Sequence, residues 1–300
     1  MRWTGVARFA VATGLGTGLV LPARPDPAPV AAYVEAYPVT AAAMRAAGPP
    51  YERWARQGRR FLVFDALGDG RAVEVLGDLA AADRIAVLVP GVGSTVSDFD
   101  RGLGGVARRA PGRQARDVYE ALRTADPGAR VAVLAWLGYD PPDGVPGAAG
   151  TASARHGGAA LSGLLRTLAG HRPGARITLI GHSYGALVVG YAAVDAPPQV
   201  TDVVTLGGVG AGVDRADQLD GVRVWAAEAA ADWIRRVPQV TLLGLGHGIR
   251  PGNPAFGARP LPVARSTGHD GYLMPGCVTL DAVASVVLAG TAGPVPGAAR

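Results

Sequence analysis

The sequence predicts an α/β fold in which a doubly wound, mostly parallel sheet is entered through an antiparallel hairpin, and two observations carry that prediction. Short, uninterrupted apolar runs recur at residues 85–89, 131–137, 177–180, 203–206 and 222–226, with helical stretches between them. Upstream, the runs 61–64 and 72–76 flank Gly68-Asp69-Gly70. An Asp-Gly pair between apolar runs is a strong short-range hairpin signal.

Taken in order, residues 33–59 have Ala-rich helical character, expected to break at Pro38 and at Pro49-Pro50, where a proline removes a backbone donor. This segment reads as an N-terminal helical appendage covering 33–58. The later apolar runs do not alternate with polar residues, as suits strands buried on both faces. Segments 117–125, 157–169 and 186–194 carry apolar residues at helical spacing and supply the crossovers of a parallel sheet. A last strand at 260–264 and a last helix at 278–288 close a catalytic domain expected to span 59–292.

At 49% hydrophobic, the 300 residues hold ample material for one large core. All 29 basic residues are Arg, against 24 acidic ones, and the net charge of +5 is spread along the chain. A nucleic-acid surface needs clustered charge with interleaved aromatics, so nucleic acid is excluded as a partner. Cys277 is the single cysteine, which rules out an intramolecular disulfide and a thiolate cluster. The five histidines lack zinc-ligand spacings, and neither a metal nor an organic cofactor is expected. At the N-terminus, Arg2 and Arg8 precede a mildly apolar run, 9–21, and a Pro-rich linker. Residues 1–32 therefore read as a possible signal or anchor, weakened by Gly14, Gly16 and Gly18, and export or membrane tethering stands level with a cytoplasmic location.

The chemistry centres on Gly181-His182-Ser183-Tyr184-Gly185, where an apolar strand runs into G-x-S-x-G and leaves as an apolar helix. With seven serines and 44 glycines in the chain, the bare pentapeptide is a modest signal; the flanking strand and helix make it specific. The turn leaves no room for side chains beside Ser183, which becomes the candidate nucleophile. Its hydroxyl needs a base, and chain order in such sites runs Ser, then Asp or Glu, then His. His269 sits in a loop between the last strand and the last helix; His247, in Gly246-His247-Gly248, is the weaker candidate and otherwise lines the site. His182, His156 and His171 read as packing or surface residues. Counting strands past Ser183 selects Asp232 as the acid, with Asp214 and Glu228 as alternatives. Oxyanion donors are expected from the N–H of Tyr184 and from Val92, in the loop Pro90-Gly91-Val92-Gly93 at a strand end.

Taken in order, Val89-Pro90-Gly91-Val92-Gly93-Ser94, Ala135-Trp136-Leu137-Gly138-Tyr139-Asp140, Gly181-His182-Ser183-Tyr184-Gly185, His247-Gly248, Phe256-Gly257-Ala258-Arg259 and Gly268-His269-Asp270-Gly271-Tyr272 resemble a bacterial α/β-hydrolase family first catalogued as a domain of unknown function. The resemblance covers roughly residues 61–288. It implies the α/β-hydrolase fold, a triad of Ser183, Asp232 and His269, and a pocket with Trp136 and Tyr139 near its mouth beside Gly91 and His247. The chain departs from the family pattern at Ile249-Arg250-Pro251, where similar chains often carry an acidic residue. The function expected is hydrolysis of a small-molecule or lipid-like carboxylic ester, or a related acyl bond, through an acyl-enzyme. An acyltransferase using the same triad and a non-catalytic binding protein are the alternatives. The connection after the 203–206 strand is too short for a large cap, so loops 138–153 and 235–259 are expected to shape the pocket.

Overall fold

The computed structural model describes residues 33–242, 245–264 and 267–293. The expected signal or anchor segment, 1–32, lies outside them. Helices α1 (Tyr33–Ala47) and α2 (Tyr51–Arg56) lead into strands β1 (Arg60–Asp65) and β2 (Arg71–Gly77). Then follow β3 (Arg84–Val89), α3 (Pro111–Ala125), β4 (Val131–Leu137), α4 (Gly144–Gly147), α5 (Ala152–His171), β5 (Arg176–His182), α6 (Gly185–Ala193), β6 (Val200–Leu206) and β7 (Arg223–Ala227). A small antiparallel hairpin, β8 (Thr241–Leu242) with β9 (Leu245–Gly246), precedes β10 (Arg259–Pro260) and α7 (Val278–Ala289).

Among the described residues, one sheet runs in the order β1-β2-β4-β3-β5-β6-β7-β10. β2 is antiparallel to both its neighbours, and every pair from β4 onward is parallel. This is the α/β-hydrolase fold that the resemblance implied, and period-two geometry explains the unbroken apolar runs. Ile85, Val87, Leu134, Ile177 and Leu179 face one layer, under Leu161 and Leu165 of α5 and Leu187 of α6. Ala86, Leu88, Val133, Ile180 and Val204 face the other, under Val118 and Leu122 of α3 and Val283 of α7. Each Val, Leu or Ile among them, removed from water, contributes about 1.5–3 kcal/mol.

Two expectations are corrected. Pro38 does not break the first helix, which runs through it to Ala47. The missing N–H leaves the carbonyl one turn back without its helical partner, and Thr40 just beyond is held by a bond from its hydroxyl to the Phe61 carbonyl (2.8 Å). The last strand is also shorter than 260–264: the ladder to β7 holds Arg259 and Pro260, and Leu261 adds one bond to Ala226 (2.8 Å). Pro260 and Pro262 have no N–H to donate, which ends the pairing. Among the described residues no helix is long and apolar enough to cross a membrane.

Candidate active site

The chain order places the site. From β3 the chain passes to β4 on one side, whereas from β5 it passes to β6 on the other, so the connections diverge at the carboxyl ends of β3 and β5. That switch point is where open α/β sheets form their crevice. Ser183 directly follows β5, and Gly91 lies just beyond β3; Asp232 and His269 follow β7 and β10.

Ser183 is the one non-glycine with positive φ (55°) among the described residues, a strained conformation that projects its side chain above the sheet. A Cβ on Gly181 would stand 2.6 Å from the Gly185 carbonyl oxygen, and one on Gly185 would stand 2.4 Å from that of Val89. No side chain fits at either place, which is why the turn reads G-x-S-x-G. The Ser183 N–H donates to Leu206 O (2.9 Å), fastening the turn to the end of β6.

Ser183 Oγ lies 2.9 Å from His269 Nε2, and His269 Nδ1 lies 2.9 and 3.0 Å from the two oxygens of Asp232. The carboxylate can only accept, so Nδ1 carries the proton and Nε2 is free to accept the serine O–H. Asp232 also receives the Tyr272 hydroxyl (2.6 Å) and the Ile234 N–H (2.9 Å). Burial alone would raise its pKa; the donors His269, Tyr272 and Ile234 outweigh it and hold the carboxyl below its ordinary range. Tyr272, to which the sequence assigned no role, is thus a partner of Asp232, and burial together with that carboxylate raises its phenol well above the ordinary value.

The alternative acids sit elsewhere. Asp214 is exposed in a turn closed by Gln218, and Glu228 is paired with Arg250 (2.9 Å) and Arg235 (3.3 Å). Arg250, where the family pattern departs, is buried and also bonds the Val237 carbonyl (3.0 Å), tying the 249–252 loop to the wall of the site.

His182 Nε2 donates to the His269 carbonyl (2.7 Å). Burial, with His269 beside it, pushes His182 down to about 4. The unfolded value is about 6.5, so between those values the unfolded chain binds more protons and stability falls as pH drops. Denaturant titrations should show lower stability at pH 5 than at pH 7, and His182→Gln should remove part of that difference.

A cavity of about 740 Å³ opens over Ser183. Gly91, Val92 and Tyr184 line it beside the hydroxyl, and His247 lines it edge-on to the Tyr184 ring at 5.9 Å. Burial depresses the His247 pKa, so its imidazole is neutral at pH 7. Gly144, Ala148 and Ala149 on one side and Val237, Pro238, Val240 and Leu245 on the other supply walls, within the stretches expected; Leu103, Arg109 and Gln114 form a further wall that was not. Trp136 and Tyr139 are corrected: they do not line the cavity but stack on each other in the core at 5.8 Å, and the Tyr139 hydroxyl donates to Pro90 O (3.0 Å). Tyr139 therefore braces the loop carrying Gly91 and Val92 from behind. Trp233, also unforeseen, stands with its ring 4.6 Å from that of His269.

A Cβ on Gly91 would stand 2.9 Å from Ser183 Cβ and 3.4 Å from its Oγ. Gly91→Ala should push the loop off Ser183 and lower kcat for any reaction at that hydroxyl by about 100-fold, as an ångström-scale misplacement does. Steady-state kinetics beside thermal melts would separate this from unfolding.

Residues 65–242 match the model of a family described as alpha/beta hydrolase. The uncharacterized protein Rv2079 of Mycobacterium tuberculosis (strain ATCC 25618 / H37Rv) is 33% identical over 209 residues, which is 67% of this chain but 30% of the relative's length. The chain thus spans less than a third of that protein. The uncharacterized protein Rv0963c of the same strain is 30% identical over 220 residues, covering 66% of this chain and 81% of the relative. Among solved structures, esterase PE8 is similar at a TM-score of 0.46 and 15% identity, covering 71% of this chain and 96% of that one. A Trichoderma reesei cutinase is similar at 0.41 and 15%, covering 70% and 76%.

Proposed function

The chain belongs to the alpha/beta hydrolase family, and from that premise we propose that it is a serine hydrolase cleaving a carboxylic ester through an acyl-enzyme. The observation that carries this reading is the continuous relay from Ser183 Oγ to His269 to Asp232, with contacts of 2.9 Å at each step. A finer proposal follows from the ordered motifs, that the chain falls in the bacterial group first catalogued as a domain of unknown function.

Ser183 Oγ attacks the ester carbonyl carbon while its proton passes to His269 Nε2. Asp232 holds Nδ1–H and stabilises the imidazolium that forms. The oxyanion is met by the N–H groups of Tyr184, at the start of α6, and Val92, fixed dipoles that need not reorganise as charge develops. Collapse breaks the ester C–O bond, and His269 returns the proton to the leaving alcohol. Water then attacks the acyl carbon with His269 again as base, releasing the acid and restoring Ser183.

Rapid-mixing kinetics with nitrophenyl esters from acetate to decanoate test this. A burst of nitrophenol equal to the enzyme concentration, followed by slower turnover, is expected. A folded protein that neither bursts nor turns over would sink the proposal.

A further inference from the structure

Resting on that hydrolase reading, we propose that the site takes an uncharged ester with a medium or long alkyl chain, held along an apolar rim. Three observations lead there.

The first is charge. Among the described residues, the charged side chains of the cavity wall, histidines aside, are Arg109 and Asp270, and they pair with each other at 2.8 Å. The remaining wall is mostly aliphatic, aromatic or glycine, and it presents no unpaired cation to hold a carboxylate or phosphate on the substrate. The second is the rim. Leu103, Trp233, Val240 and Leu245 line the cavity while remaining 39%, 45%, 60% and 59% exposed. A single exposed apolar side chain needs no explanation; four around one opening mark a binding surface. The third is size: about 740 Å³ is in the range that encloses ligands of some twenty or more heavy atoms, far beyond an acetyl group. An alkyl chain laid against this rim would cover the exposed side chains and bury its own methylenes.

The test measures kcat/KM below the micellar limit in two series, nitrophenyl esters from acetate to decanoate and alkyl acetates from ethyl to decyl. A chain held in the acyl half predicts a rise in the first series, and one held in the alcohol half a rise in the second. The expected step is about fourfold per methylene while the chain lies on the rim, the ratio equivalent to about 0.8 kcal/mol per buried CH₂. Val240→Asp combined with Leu245→Asp, both at exposed positions, should lower kcat/KM for the preferred long ester at least ten times more than for the shortest one. Fluorophosphonate labelling runs alongside. Labelling with flat or falling profiles in both series overturns the alkyl-chain proposal and leaves the hydrolase standing. Absence of labelling and of turnover overturns the hydrolase reading, and the alkyl-chain proposal with it.

Discussion

Ser183→Ala is expected to lower kcat for ester hydrolysis by about 10⁶-fold, the size of loss when a nucleophile is removed from a cooperating triad. No neighbouring group can substitute. The other hydroxyl on the cavity wall outside the elbow, Ser94, lies on the loop after β3, and His269 Nε2 already faces Ser183. The residual rate would come from the oxyanion donors and substrate binding alone. The fold should survive: alanine keeps the Cβ that Ser183 already carries at φ 55°, so backbone strain is unchanged, and the hydrogen bond lost is worth about 1 kcal/mol. A melting temperature within a few degrees of wild type, with activity gone, is the expected pair of results.

Asp232→Asn is expected to lower kcat/KM by about 10⁴-fold, with little change in shape. The carboxylate now accepts from three directions, His269, Tyr272 and Ile234. An asparagine oxygen can keep some of these, but an amide NH₂ turned toward Nδ1 favours the tautomer with the proton on Nε2, which cannot accept from Ser183. Loss of the negative charge also removes the partner of the imidazolium. Stability should change by a few kcal/mol at most, because the volume is unchanged and two of the three donors can still be met. Comparison with Asp214→Asn, at the exposed turn, checks the assignment; that variant should behave as wild type.

Much of the sheet was legible because its central strands are buried on both faces and so spell unbroken apolar runs, as 131–137 and 177–180 do. Ser183 was legible because its turn forbids side chains on either side, leaving a pattern of glycines. Asp232 and His269 were chosen from chain order, and His269 meets both Ser183 and Asp232 at hydrogen-bond distance because β6, β7 and β10 follow one another across the sheet. The misses have a common source in contacts distant along the chain. Trp136 and Tyr139 end a strand as pocket aromatics would, but α5 covers that face and turns them inward. Tyr272 and Trp233 flank the relay through loop packing that no periodicity records. Arg109 reaches the rim through a partner 161 residues away, Asp270. The short last strand, by contrast, could have been read from Pro260 and Pro262.

If His269 activates Ser183, fluorophosphonate should modify that serine, and peptide mass mapping after treatment reads this out. One adduct is expected, on the peptide carrying Ser183, absent in Ser183→Ala and strongly reduced in His269→Ala. No adduct on the folded wild type, or an adduct on another residue that persists in Ser183→Ala, would contradict that activation.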